Sequence, residues 1–255
     1  MDMTKKYILP HFGLGDAIIC NALVRNFCKM YDEVVYFTAD PYHASIEYMF
    51  RDIKNLSFIN SENDPAVSVG ICKNFISSNG IENDIIEIGF ERLEYELTIK
   101  NPGIPFYEGF YTMFNLNPKI RFSEFYYQRN LQSEEYVYNK LNPNNEKYIF
   151  VIDDSEHHLG NLIIDENNLP KKYKIIKYNK KLNYNDENFL MFNYCKILEN
   201  AEEIHTIETA FLEFIQSIKL SKPKIYIHSY LRNYLQKKPT SNNNNYLIIN
   251  SKGVN

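Results

Sequence analysis

Apolar and polar positions follow two alternating rhythms along the first part of this chain. Residues 6–10 (KYILP) read as a short strand. Residues 16–30 follow as a helix, with Ile18, Ile19, Ala22, Leu23, Phe27 and Met30 recurring on one face at a spacing of three to four. Residues 33–38 (EVVYFT) return to the strand pattern, 42–50 to the helical one, 56–60 to strand and 65–77 to helix. Residues 84–89 (DIIEIG) form a fourth strand. Strands alternating with helices predict a parallel α/β sheet.

From residue 101 to about 147 the alternation lapses. Pro102, Pro105, Pro118 and Pro143 punctuate two helical pieces, 106–114 and 133–141. A second series then begins with strand 147–152 (KYIFVI) and continues with strands at 162–164 and 173–177. Helix 187–198, strand 203–207, helix 209–218 and strand 224–228 follow. A polar loop at 241–245 precedes a last apolar run, 246–249. No solenoid repeat is present. The organisation expected is an N-terminal Rossmann-like domain over residues 1–117, a linker over 118–146 and a C-terminal Rossmann-like domain over 147–255. A length of 255 residues is enough for two such cores.

Composition narrows the partners. With 28 Lys and Arg against 32 Asp and Glu the net charge is −4, and no long basic run occurs. A nucleic-acid partner is therefore not expected. The chain enters its first strand without an apolar leader, and no stretch of about 18 apolar residues follows. A cytoplasmic protein is expected, with peripheral membrane contact left open. Cys20, Cys28, Cys72 and Cys195 form no CxxC pair. Cys20 and Cys28 lie too far apart along one helix for a disulfide, so free thiols in a reducing compartment are expected. The 21 Tyr and 17 Phe, alongside many Asn, Ile and Lys, read as compositional bias rather than a stacking surface.

Four constellations carry candidate chemistry. Gly13-Leu14-Gly15-Asp16 turns from the first strand into the first helix, where open α/β sheets bind ligands. The third glycine of a dinucleotide site and the Lys-Ser/Thr of a P-loop are both missing. Asp16 reads equally as the helix N-cap or as a functional acid, one that would accept a proton more readily than cradle a phosphate. Asp153-Asp154-Ser155 ends an apolar strand, with His157 and His158 directly after it. A solvated loop explains these residues as well as a ligand crevice does, and no metal-ligand spacing appears. Thr206, Glu208 and Thr209 stand where strand 203–207 becomes helix 209–218. They suit either a phosphate or ordinary capping. Arg121 and Arg129, with Glu124 and Glu134 nearby, read as interdomain ion pairs ahead of phosphate ligands.

Two of these segments resemble a known family. His11-Phe-Gly-Leu-Gly-Asp16-Ala-Ile is similar to the opening of heptosyltransferase-like glycosyltransferases of GT-B architecture. Ala201-Glu-Glu-Ile-His-Thr206-Ile-Glu-Thr209-Ala resembles the turn that receives the donor phosphates in the same superfamily. The stretches around Pro105, Arg121, Arg129 and Tyr148–Ser155 are similar to small glycosyltransferase-like proteins of bacteria and large DNA viruses. The resemblance implies two Rossmann-like parallel-sheet domains facing across a cleft. It further implies metal-independent, inverting transfer of a hexosyl or heptosyl group from a nucleotide-sugar donor to a glycan or lipid-linked acceptor, with no cofactor. Asp16 would be the base. Gly13, Gly15, Asp154, Ser155, His205, Thr206, Glu208 and Thr209 would line the donor, and Arg121 and Arg129 would meet phosphate or bridge the domains. Glu208-Thr209-Ala210 replaces the family's Asp-Ser-Ser, which keeps a catalytically inactive sugar-nucleotide or glycan-binding module as the alternative. No Asp-x-Asp pair occurs to suggest the metal-dependent GT-A arrangement, Glu62-Asn63-Asp64 being the nearest approach. A Rossmann-type oxidoreductase is disfavoured by the absent third glycine.

Overall fold

A computed structural model describes residues 4–157, 160–179, 182, 186–229 and 246–250. The chain divides between Gln128 and Arg129 into two compact units. The stretch expected as linker, 118–146, carries two helices, one belonging to each unit.

The first unit runs β1 (Lys5–Leu9), α1 (Leu14–Ile19), α2 (Asn21–Met30), β2 (Glu33–Thr38), α3 (His43–Phe50), β3 (Leu56–Asn60), α4 (Pro65–Asn79) and β4 (Ile85–Glu87). It then continues with α5 (Phe90–Tyr95), a π-helical turn over Glu96–Lys100, α6 (Phe106–Thr112) and α7 (Ile120–Ser123). Its four strands are parallel, in the order β3-β2-β1-β4. β2 and β3 occupy the residues that the apolar alternation predicts.

Local chemistry sets the element ends. Asp64 caps α4 by accepting from the N–H groups of Ala66 at 2.9 Å and Val67 at 3.3 Å. Pro65 fills the first helical position, and Gly80, at φ +62°, closes the helix. Asp64, part of the nearest approach to an Asp-x-Asp pair, is thus a helix cap.

The helix expected over 16–30 starts earlier and breaks at Cys20. There the Tyr111 hydroxyl donates to the Ile19 carbonyl at 2.6 Å, and the fully buried Asn21 side chain turns aside. Asn21 donates through Nδ2 to the Tyr126 carbonyl at 2.9 Å and accepts from the Tyr126 N–H at 3.1 Å. Leu9 of β1 and Phe37 of β2 pack with Phe12, Ala39, Cys72 and Ile76 into one cluster.

The second unit runs α8 (Leu131–Leu141), β5 (Tyr148–Ile152), β6 (Asp154–His157), β7 (Gly160–Leu162), β8 (Lys174–Lys177), α9 (Cys195–Asn200), β9 (Glu203–Thr206), α10 (Ala210–Ser217), β10 (Lys224–Ser229) and β11 (Tyr246–Asn250). Its main sheet is parallel, in the order β11-β10-β9-β5-β8. β6 and β7 form a separate antiparallel pair, where the sequence left a solvated loop or a ligand crevice open at 153–155 and predicted a strand at 162–164. Ile149, Val151, Leu162, Ile164, Leu169 and Ile207 pack together beside it.

The single helix expected over 187–198 is instead two 3₁₀ turns, Glu187–Phe189 and Met191–Tyr194, followed by α9. Asp186 accepts from the Asn188 N–H and side-chain amide at 2.9 and 2.8 Å, and Leu190 is extended. These local bonds compete with a continuous helical ladder. All four cysteines are free, and Cys20, Cys72 and Cys195 are buried. No helix among the described residues is long and apolar enough to cross a membrane. His158 and the 241–245 loop lie outside the described residues.

Candidate functional site

Strand order points to one place in each sheet. In the first unit the chain lays β2 and β3 on one side of β1, then returns to place β4 on the other. Parallel strands that diverge in this way open a crevice at their carboxyl ends, where α/β sheets take ligands. The residues at that crevice are Pro10–Gly13 after β1 and Ile88–Phe90 after β4. The Ile88 N–H donates to the Leu9 carbonyl at 2.8 Å and holds the two exits together.

His11 and Asp16 meet there. Imidazole Nδ1 lies 2.8 Å from Asp16 Oδ2. Asp16 is the third residue of α1, not its cap. Gly13 holds the N-cap position without a side-chain bond. Capping, one of the two readings left open by the sequence, is therefore not what this acid does.

The turn is tightly made. The Gly13 N–H donates to the His11 carbonyl across Phe12, whose φ of +30° is strained for a residue with a side chain. Phe12 is held there by burial in the core cluster. A Cβ at Gly13 would stand 2.6 Å from Asp16 Oδ2. Gly15 is the second residue of α1.

Aromatic rings surround the imidazole. Phe90 lies 5.6 Å away between centroids, Phe106 6.1 Å and Phe110 6.2 Å. The hydrogen bond to Asp16 raises the His11 pKa from its ordinary value, against the opposing effect of burial. His11 is a site residue that sequence reasoning quoted but did not assign. Its signal was a histidine just past an apolar strand and five residues before an acid.

The second sheet repeats the arrangement. β8 lies on one side of β5, while β9, β10 and β11 lie on the other. At the divergence Ile152 is in register with Thr206, and the Ile207 N–H donates to the Ile152 carbonyl at 3.3 Å. The crevice residues are thus Asp153, Asp154 and Ser155 after β5 and Thr206–Thr209 from the last residue of β9 onward, the two groups singled out in the sequence.

Within this group the side chains differ in what they offer. Asp153 accepts from the Ile164 N–H at 3.2 Å and from Lys177 Nζ at 3.3 Å. Asp154 is buried at the start of β6, and Ser155 follows it in that strand. Thr206 Oγ1 donates to the Ile207 carbonyl at 3.1 Å. The Glu208 carboxylate accepts from Ser229 Oγ at 3.0 Å. Thr209 holds the N-cap position of α10 in extended conformation, but its side chain makes no cap bond. Its hydroxyl oxygen is buried without a hydrogen-bond partner among the described residues.

His205 sits differently from the rest. Its Nδ1 is 3.0 Å from His228 Nε2 and its Nε2 is 3.2 Å from Glu203 Oε2, so both ring nitrogens are engaged. Tyr226 stacks on its ring at 4.6 Å. Burial lowers the His205 pKa. Burial, then the neighbouring His205, lowers that of His228 to about 4.

No family model matches the chain, and no curated protein matches it either. Among solved structures, the chain is similar to that of the glycosyl transferase family 9 from Veillonella parvula DSM 2008. The TM-score is 0.57 over 97% of this chain and 86% of that one, at 9% identity. The likeness is one of fold. Two α/β units, each built on a parallel sheet, are what the strand and helix pattern led us to expect.

The two arginines lie in different units. Arg129 donates through Nε to Glu134 at 2.8 Å and through Nη1 to Glu199 at 2.6 Å, with Nη2 donating to both. These partners join α8 to α9 inside the second unit. Arg121 is fully buried in the first unit, its guanidinium over the rings of Tyr107 at 4.6 Å and Phe122 at 4.8 Å. Glu124 pairs with Lys29 at 3.4 Å. Among the described residues no group of three or more His, Cys, Asp and Glu side chains is placed to hold a metal ion.

Proposed function

We propose that the protein is a glycosyltransferase. It moves a hexosyl or heptosyl group from a nucleotide sugar to a hydroxyl of a glycan or lipid-linked acceptor, in the cytoplasm and with inversion. The observation that carries this reading is the coincidence of both quoted motifs with the two crevices. His11–Asp16 lies at the carboxyl end of β1 beside β4, and Thr206–Thr209 lies at that of β9 beside β5. The fold likeness to a glycosyl transferase supports it.

Asp16 and its bonded partner His11 form the basic centre that removes the acceptor's proton. Thr206, Thr209 and the first N–H groups of α10 hold the donor diphosphate, whose departing charge they stabilise without need of a metal. Asp154 and Ser155 bound the donor pocket, while Gly13 and Gly15 let the first turn approach the sugar. Arg129 serves as the brace between α8 and α9, and Arg121 as a core cation.

The experiment is a thermal-shift and sugar-release screen across UDP-, GDP-, ADP-, CMP- and dTDP-sugars. A donor that raises the melting temperature and slowly yields free sugar supports the reading. Binding without release favours the inactive binding module, for which the Glu208-Thr209-Ala210 turn, one hydroxyl short of Asp-Ser-Ser, argues. Stabilisation by NAD or FAD alone would replace both with a Rossmann-type redox protein.

A further inference from the structure

We propose that His11 Nε2 is the atom that receives the acceptor's proton, and that Asp16 acts through His11 as a positioning residue. The inference rests on the glycosyl-transfer reading and deepens it.

The geometry fixes the tautomer. An ionised carboxylate only accepts hydrogen bonds, so the 2.8 Å contact places the ring proton of neutral His11 on Nδ1. Nε2 then carries the lone pair. It has no hydrogen-bond partner among the described residues. The imidazole keeps 40% of its side-chain surface exposed, against 22% for Asp16, so it is the more accessible member of the pair.

The walls hold the ring in one orientation. A Cβ at Gly89 would stand 3.0 Å from both Cβ and Cδ2 of His11, so the Gly89 backbone lies directly against the ring. Phe90, Phe106 and Phe110 close around it. These neighbours bring no charge, and Asp16 is the charged group that faces the imidazole. Such surroundings favour an imidazolium held by one carboxylate as the proton arrives.

The step balances. A lone pair of the acceptor oxygen forms the bond to the anomeric carbon, while the bond from that carbon to the diphosphate oxygen breaks. The electron pair of that bond leaves with the nucleoside diphosphate. The hydroxyl proton passes to His11 Nε2, and the imidazolium so formed is stabilised by Asp16. An imidazole of ordinary pKa about 6.5 is better matched to this task at neutral pH than a carboxylate of about 4.

The test compares wild type, His11→Ala and Asp16→Asn in sugar release from UDP-glucose, GDP-mannose, ADP-glucose and dTDP-glucose across pH 5–9. Wild-type kcat should rise with pH along one limb. His11→Ala should lose about 10²–10⁴-fold in kcat and abolish that limb, with donor KM changed less than about twofold. Asp16→Asn should keep a weaker limb, moved to lower pH, because the charge that holds the imidazolium is gone. A His11→Ala enzyme with wild-type kcat and an unchanged limb overturns the inference and leaves Asp16 as the sole base. No turnover of any donor by wild type overturns the transfer reading and this base with it. Nitrogen NMR of wild-type His11 gives a readout that needs no variant to fold. At high pH it should show a proton on Nδ1 and none on Nε2, and the opposite tautomer would overturn the inference.

Discussion

Gly89 lies against His11 so closely that a single added carbon would stand 3.0 Å from two atoms of the histidine side chain. The same glycine has φ +116°, a backbone region that residues with a side chain avoid. Gly89→Ala should therefore cost about 1–3 kcal/mol of stability. It should also displace the imidazole. Denaturant unfolding checks the first effect, and the His11 ring resonances, shifted toward those of an exposed histidine, check the second.

Asp16→Asn keeps the shape of the side chain and removes its charge. Sugar transfer should fall by about 10²-fold or more. The donor-induced thermal shift should stay close to that of wild type, because the groups assigned to the diphosphate lie in the second unit. Turnover equal to wild type would take Asp16 out of the mechanism.

The histidines of the two units should respond to pH in opposite senses. His11 has a raised pKa through Asp16, so its contribution to stability is fully present below the unfolded value of about 6.5 and is lost as pH rises through the folded value. His205 and His228 have lowered pKa values. They contribute above about pH 6.5 and lose that contribution as pH falls toward the His228 value of about 4. Proton NMR titration of the six histidines, with urea midpoints from pH 4 to 8, would show both trends. A His228 that titrates near its ordinary value would contradict the second.

Thr209→Val separates folding from ligand binding. The Thr209 hydroxyl is buried and unbonded among the described residues, so its removal should leave stability within about 0.5 kcal/mol of wild type or raise it. If the hydroxyl meets a donor phosphate, the same change should weaken nucleotide-sugar binding by about tenfold. Calorimetric titration of the donor identified in the screen measures that loss, and unaltered affinity removes Thr209 from the site.

Asn21→Ala tests the helix break. Asn21 is buried and bonds both the N–H and the carbonyl of Tyr126; its loss leaves that N–H unsatisfied, while the carbonyl keeps its bond from Arg25 Nε at 3.0 Å. A loss of about 1–3 kcal/mol is expected in urea unfolding.

What the sequence showed plainly was whatever depends on near neighbours. Glu33–Thr38 and Leu56–Asn60 are strands at the residues read from their apolar runs. α4 begins at Pro65 because Asp64 and Pro65 together leave little choice. Distant partners were not legible. The break at Cys20 depends on Tyr111, and the fate of 187–198 depends on side-chain bonds around Asp186 and Asn188. β6, paired with β7, carries polar residues that gave no strand pattern. The acid of the first turn was visible, but its histidine was not assigned. Only the structure shows the Gly89 backbone and three phenylalanines holding that ring beside Asp16.

β4 has three residues and, among the described residues, pairs with β1 alone, joining Tyr7 to Ile85 across most of the first unit's length. Long-range pairings of this kind close late in folding, after the local βα units have formed. A short edge strand is also among the first parts of a sheet to open. The wall behind His11 is therefore assembled last and undone first. Hydrogen exchange at Ile85–Glu87 should report the lifetime of the basic centre more directly than the global stability of the chain does.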